Sequence, residues 1–231
     1  MKQEQIQTGL AAAMPVCVGY VALGVACGIV GEKAGMSVWQ ILLLSVLLYA
    51  GSGQFMVASM FAGGATPIAI AASVALVNMR HILYGSALAR FFQGEPKGRT
   101  ALFAAQITDE AFGVNMSRFQ QGGWSPAQAR VVNFASHSTW ILSNVIGALL
   151  SELIALDTAI IGFSMTAIFI CLLLMQKRTA DHLAAMVAAA AGVVVCKCVG
   201  WGQVAVLIGA VLGVAAGIAV AAVRRAGEDN A

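Results

Sequence analysis

Ile107-Thr108-Asp109-Glu110-Ala111-Phe112-Gly113-Val114 sets two adjacent carboxylates inside a largely apolar run from Thr100 to Phe119. On insertion scales an ionised acid in hydrocarbon costs at least about 2.5 kcal/mol, so such side chains face a cavity or a partner. The stretch therefore reads as the working site of a protein that lives in lipid. The rest of the chain supports that setting. Of its 231 residues, 60% are hydrophobic and 10% charged, and the mean hydropathy is +0.86, beyond the range of soluble domains of this size. Apolar runs separated by short polar breaks point to an all-α, polytopic integral membrane helical bundle, because irregular backbone facing lipid would leave hydrogen bonds unmade.

Working outward, the apolar segments are about 9–30, 37–62, 67–92, 100–119, 127–150, 157–175, 182–199 and 203–223, read as one transmembrane domain over 1–231. Pro15 should kink the first, whose Gly19, Gly24 and Gly28 let another helix approach closely. The second is interrupted by Tyr49-Ala50-Gly51-Ser52-Gly53-Gln54-Phe55, where two glycines around a serine suit a broken helix. Thr66-Pro67 and Ser125-Pro126 read as cap and first turn of the third and fifth. In the fourth, Gln106, Asp109, Glu110 and Gly113 fall on one helical face; in the fifth, Asn133, His137, Trp140 and Asn144 form a polar stripe that lines a seam or cavity. The last segments, dominated by small residues, read with 9–30 as scaffold or as a partner interface, and a higher oligomer stays open.

A shift of 56 residues lays Ser52-Gly53-Gln54 on Thr108-Asp109-Glu110 and His81 on His137, which suggests a repeat of 37–92 in 100–150. Basic residues bear on it. If all eight segments cross, seven lie on one side and five on the other, with Arg80 inside. If the second and fourth dip in and return, six cross and the count is ten against two, Lys33 and Lys197 being the two. That arrangement obeys the positive-inside rule with both termini cytoplasmic, and makes the repeat an inverted one whose broken elements meet near the midplane. Leaving only the fourth segment re-entrant scores equally but lacks the repeat.

The small, scattered charge of +3 gives no basis for binding nucleic acid. The five cysteines lie in or beside apolar segments without a Cys-x-x-Cys pair, and read as buried thiols; no metal site, cofactor or catalytic centre is expected. Buried together, Asp109 and Glu110 repel, which favours a proton on one of them near neutral pH and suits a coupled transport cycle. Arg80 could offset the acids or hold a substrate carboxylate in a fork. His81 and His137 are candidate proton relays, or packing residues. Gly51, Ser52, Gly53 and Gln54 offer backbone freed at the break, flanked by Asn78 and Tyr84, while Phe55 and Phe112 would take an apolar side chain. Ser52 with either histidine raises an intramembrane serine hydrolase, though a rhomboid-like Gly-x-Ser-Gly motif would need glycine at Ala50; a passive small-solute channel is the other alternative.

Tyr49-Ala-Gly-Ser-Gly-Gln-Phe55, Leu76-Val-Asn-Met-Arg-His-Ile-Leu-Tyr-Gly85, Thr108-Asp-Glu-Ala-Phe112 and Ala155-Leu-Asp157, in that order, resemble the signature blocks of the AzlC family, the large subunit of branched-chain amino-acid exporters. The resemblance spans nearly the whole chain. It implies a permease of the bacterial inner membrane that exports valine and related amino acids, methionine among them, with a small AzlD-like membrane partner. The family's blocks fall on Gly51 to Phe55, Asn78 to His81, Tyr84 and Thr108 to Glu110. Gly53 departs from the pattern, where alanine is expected.

Overall fold

A computed structural model describes residues 3–153, 179–200 and 205–228, without the side chains of 205–207, 210 and 225–228. The sixth apolar segment and the block at Ala155–Asp157 lie outside the described residues. No strand occurs among those described. The chain divides into two compact units, Met1–Phe169 and Ile170–Ala231.

Among the described residues the first unit holds eight α-helices: α1 (Gln3–Lys33), α2 (Val38–Leu47), α3 (Gly51–Ala62), α4 (Pro67–Asn78), α5 (Arg80–Ala89), α6 (Lys97–Ala105), α7 (Asp109–Gln121) and α8 (Pro126–Leu150). With 31 largely apolar residues, α1 is long enough to cross a membrane, and it continues through Pro15. The second and fourth apolar segments are each split, at Leu48–Ala50 and at Gln106–Thr108. A ten-residue piece such as α2 reaches only about 15 Å, half the hydrocarbon thickness. The breaks are written locally. Glycines follow Ala50, and the Thr108 hydroxyl accepts the Ala111 N–H as an N-cap. Thr66 and Ser125 cap α4 and α8 in the same way, each followed by proline.

The third segment departs from the sequence reading. It is bent by 41° at Met79, so α4 and α5 pass as a single span only when taken together. No glycine or proline marks the bend. The Met79 N–H donates to Leu76 and the Ile82 N–H to Met79, three residues back rather than four, which tightens the turn. The order helix, break, helix, capped turn, helix thus occurs twice. Corresponding starts lie 58 residues apart for Gly51 and Asp109, and 59 for Pro67 and Pro126. The 56-residue register therefore misses the element boundaries; at 59, His137 falls opposite Asn78 rather than His81.

The core of this unit is the crossing of α1 and α8. A side chain on Gly28 would collide with the Asn144 carbonyl oxygen, and one on Gly147 with the Val25 backbone. Small residues let the two backbones touch, the usual way helices associate where no hydrophobic force separates lipid from leucine. Gly19, by contrast, has open space around it. Against this pair pack Tyr49, Phe55 and Ala58.

The second unit is described by itself as α9 (Ala180–Cys198) and α10 (Ala205–Glu228). Gly209, Gly213 and Gly217 recur every four residues and meet Ala189, Ala185 and Asp181 on α9, another close small-residue contact. α9 is long and apolar enough to span.

Candidate functional site

Arg80 begins α5 at the bend and reaches two other helices. Its Nη2 donates to Ser52 Oγ in the first turn of α3 at 3.0 Å and pairs with Asp109 Oδ2 in the first turn of α7 at 2.8 Å. Both side chains of that pair are about a third open or less, at 28% and 32%. Tyr84, one turn further along α5, donates its hydroxyl to Asp109 Oδ1 at 2.6 Å and stacks on Phe112 at 4.4 Å between ring centroids. Helix N-termini carry partial positive charge, so a guanidinium set against two of them needs an anion. Asp109 supplies one. Two buried polar atoms beside it lack a hydrogen-bond partner among the described residues: Arg80 Nε, a donor, and Asn78 Oδ1, an acceptor. Asn78 lies against Gly53, where an added Cβ would stand 3.3 Å from its amide nitrogen.

A second group of bonds lies on the α1 side. Tyr20 donates to Glu110 Oε2 at 2.7 Å, and its oxygen is 2.7 Å from Thr108 Oγ1. With one proton per hydroxyl, the consistent order is Ala111 N–H to Thr108, Thr108 to Tyr20, Tyr20 to Glu110. Tyr20 also packs edge-on against Trp140, whose indole N–H donates to Gln54 Oε1 at 3.0 Å. Gln54 returns an amide hydrogen to the Leu48 carbonyl at 2.8 Å, filling an acceptor left by the break, and is 2% exposed. It staples the break from within.

His137 joins the two breaks. One ring nitrogen is 3.0 Å from the Ser45 carbonyl and the other 3.1 Å from the Gln106 amide nitrogen, an arrangement the neutral Nε2–H tautomer satisfies. Tyr49 stacks on its face at 4.2 Å. The remaining members of the α8 stripe are buried too. Asn133 accepts from Asn115 and donates to the Phe103 carbonyl, so the stripe forms a seam.

The predicted residues thus divide. Ser52, Gly53, Asn78, Arg80, Tyr84, Asp109 and Phe112 come together at the bend, with His81 tilted against Tyr84. Gln54 and Glu110 belong to the Tyr20–Trp140 side, and Gly51 lies under the Trp140 ring. Phe55 is buried in the α1–α8 core, apart from Phe112, which packs with Leu88 and Phe103. Because the helix breaks between Gln106 and Asp109, these do not share the face that spacing suggested. Asp109 turns to α5 and Glu110 to α1. Sequence reasoning missed Tyr20, placed in a scaffold segment; a phenol in mid-span, which must find a partner, was its signal. Ser52 accepts from Arg80, and no histidine nitrogen stands at hydrogen-bond distance from it among the described residues, so the geometry lends a hydrolase no support.

Comparison with known proteins gives a consistent pattern. The family model described as AzlC protein matches residues 15–154. The chain is 32% identical to "Inner membrane protein YgaZ" of Escherichia coli over 87% of this chain and 84% of that protein. It is 26% identical to "Branched-chain amino acid transport protein AzlC" of Bacillus subtilis, over 75% and 68% respectively. An uncharacterized membrane protein of Helicobacter pylori is 29% identical over 72% and 74%. No solved structure matches.

Proposed function

The chain belongs to the AzlC family, and from that premise we propose that it is a secondary transporter of the bacterial inner membrane. It moves branched-chain amino acids of the valine class, and methionine, outwards in exchange for protons. It works with a small AzlD-like membrane subunit and keeps both termini cytoplasmic.

The observation that carries the substrate class is the pair of orphaned atoms at the Met79 bend. Arg80 Nε needs an acceptor and Asn78 Oδ1 needs a donor. An α-amino acid carries a carboxylate and an ammonium on adjacent carbons, and each unmet buried group is worth about 1–3 kcal/mol to a ligand that satisfies it. The carboxylate would take the Arg80 Nε while Asp109 keeps Nη2, with the N-termini of α3 and α7 adding to the attraction. Tyr84 and Phe112 offer an apolar face to the side chain, a contact that suits aliphatic substrates while separating neighbouring homologues by only about 1–3 kcal/mol.

Counterflow of labelled L-valine into liposomes holding the purified chain and preloaded with unlabelled valine tests this reading. Saturable exchange, competed by leucine, isoleucine and methionine but not by D-valine, is expected. Arg80→Lys, which loses the fork, should raise KM at least about tenfold. Absence of valine exchange, or an unchanged KM in Arg80→Lys, counts against it.

A further inference from the structure

Resting on the transporter reading, we propose that Asn78 tells an α-amino acid from acids lacking the ammonium group, and that Gly53 is its positioning residue, whose missing side chain leaves the Asn78 amide free to aim at the substrate. The two meet at the bend. Asn78 ends α4 and Arg80 begins α5, and both reach the first turn of α3: Arg80 at Ser52 Oγ, 3.0 Å away, and Asn78 against Gly53. Each also holds a buried atom without a hydrogen-bond partner among the described residues, and the two atoms are opposite in kind, since Arg80 Nε donates and Asn78 Oδ1 accepts. A carboxylate satisfies the first whatever stands on the neighbouring carbon. Only a donor on that carbon satisfies the second. An ammonium is a charged donor and a hydroxyl a neutral one, whereas a methylene has no such proton to give and a keto oxygen sets a lone pair against Oδ1. The order of preference at Asn78 is therefore amino, hydroxy, des-amino and 2-oxo acid.

Gly53 is buried in the first turn of α3. A methyl on its Cα would lie 3.3 Å from Asn78 Nδ2, 3.3 Å from the Ala50 Cβ and 3.6 Å from Leu48 Cδ2. These neighbours differ in how they yield. The Ala50 Cβ is fixed to the backbone at the break, so retreat on that side moves the chain itself. The Asn78 amide turns about χ2, a torsion with a broad profile, and it gives first, by a few tenths of an ångström. Such a turn costs the fold little, yet it swings Oδ1 off its line, and a hydrogen bond weakens as its angle and length depart from the ideal. A glycine that served only to bring α3 and α4 together would behave otherwise. A methyl that wedged the helices apart would disturb every ligand alike, because Ser52 is the residue before Gly53 and Arg80 lies two beyond Asn78.

Exchange of labelled L-valine by the full chain in liposomes, inhibited by L-valine, its 2-hydroxy analogue and its des-amino analogue isovalerate, tests the assignment. In the unsubstituted chain valine should inhibit at least about tenfold better than isovalerate, with the hydroxy acid between them. Gly53→Ala should raise the inhibition constant of valine several-fold and leave that of isovalerate in place, so the ratio contracts. In an Asn78→Ala background, where the methyl has no amide to push, adding Gly53→Ala should contract it no further. Should Gly53→Ala fail to fold, Asn78→Gln takes its place, since one more methylene carries the same carbonyl oxygen off its position, and the same contraction is expected. A ratio untouched by these variants, an equal loss for both ligands, or a further contraction in the Asn78→Ala background overturns the proposal while valine exchange persists. An unsubstituted chain that exchanges no valine refutes the transporter reading itself, and this assignment with it.

Discussion

Removing either member of the Arg80–Asp109 pair should not cost the same. Taking one partner from a buried ion pair destabilises by about 3–5 kcal/mol, and partial exposure of 28% and 32% reduces that to about 2–3 kcal/mol. Asp109→Asn pays this in full, because Arg80 is left facing the first turns of α3 and α7, whose dipoles repel a cation by a further 0.3–1 kcal/mol or so each. Arg80→Gln leaves a carboxylate at the first position of α7, where the dipole favours it by a similar amount and the Tyr84 hydroxyl still donates to it. Its net cost should be only about 1 kcal/mol. The difference, about 1.6–4 kcal/mol, corresponds to more than tenfold in the unfolding equilibrium. Reversible unfolding in mixed micelles, with the double variant completing a thermodynamic cycle, measures it. The double variant should lie close to Arg80→Gln alone. If Arg80→Gln proves as harmful as Asp109→Asn, or if the coupling is near zero, the picture of a cation held between two helix ends is wrong.

Other perturbations follow from the same geometry. Gly28→Ala should lower stability by about 1–3 kcal/mol, since its Cβ meets the Asn144 carbonyl and the backbones must part, whereas Gly19→Ala should leave the thermal midpoint unchanged or slightly raised. His137→Leu removes two bonds that hold the breaks together; hydrogen exchange at Leu48–Ala50 and Gln106–Thr108 should then speed up together while α1 stays protected. Ser52→Ala should weaken substrate affinity a few-fold and leave transport measurable, an outcome a serine hydrolase would not show. In a chain cleared of its native cysteines, Ala34→Cys and Ala65→Cys should react with an impermeant maleimide in intact cells, and Lys97→Cys only after the membrane is opened; labelling of Lys97→Cys from outside would overturn the six-crossing arrangement.

Composition alone established a helical membrane protein, because lipid admits few other backbones. Local chemistry then placed most boundaries. The glycines at 51 and 53, the Thr108 cap, and the Thr66-Pro67 and Ser125-Pro126 pairs each act within four residues, so their effect is legible without knowing the fold. The Met79 bend was not legible, for no residue there breaks a helix by itself. The same holds for the partition of Asp109 and Glu110 and for the part played by Tyr20. Those facts rest on bonds between residues 28, 29 or 90 positions apart, and nothing in the spacing of Ser52, Arg80 and Asp109 fixes how three helix ends meet. Side-chain type said that an arginine and two acids in lipid must find partners; only the packing of α1, α3, α5 and α7 decided which found which, because partner choice depends on the direction each helix turn gives its side chains.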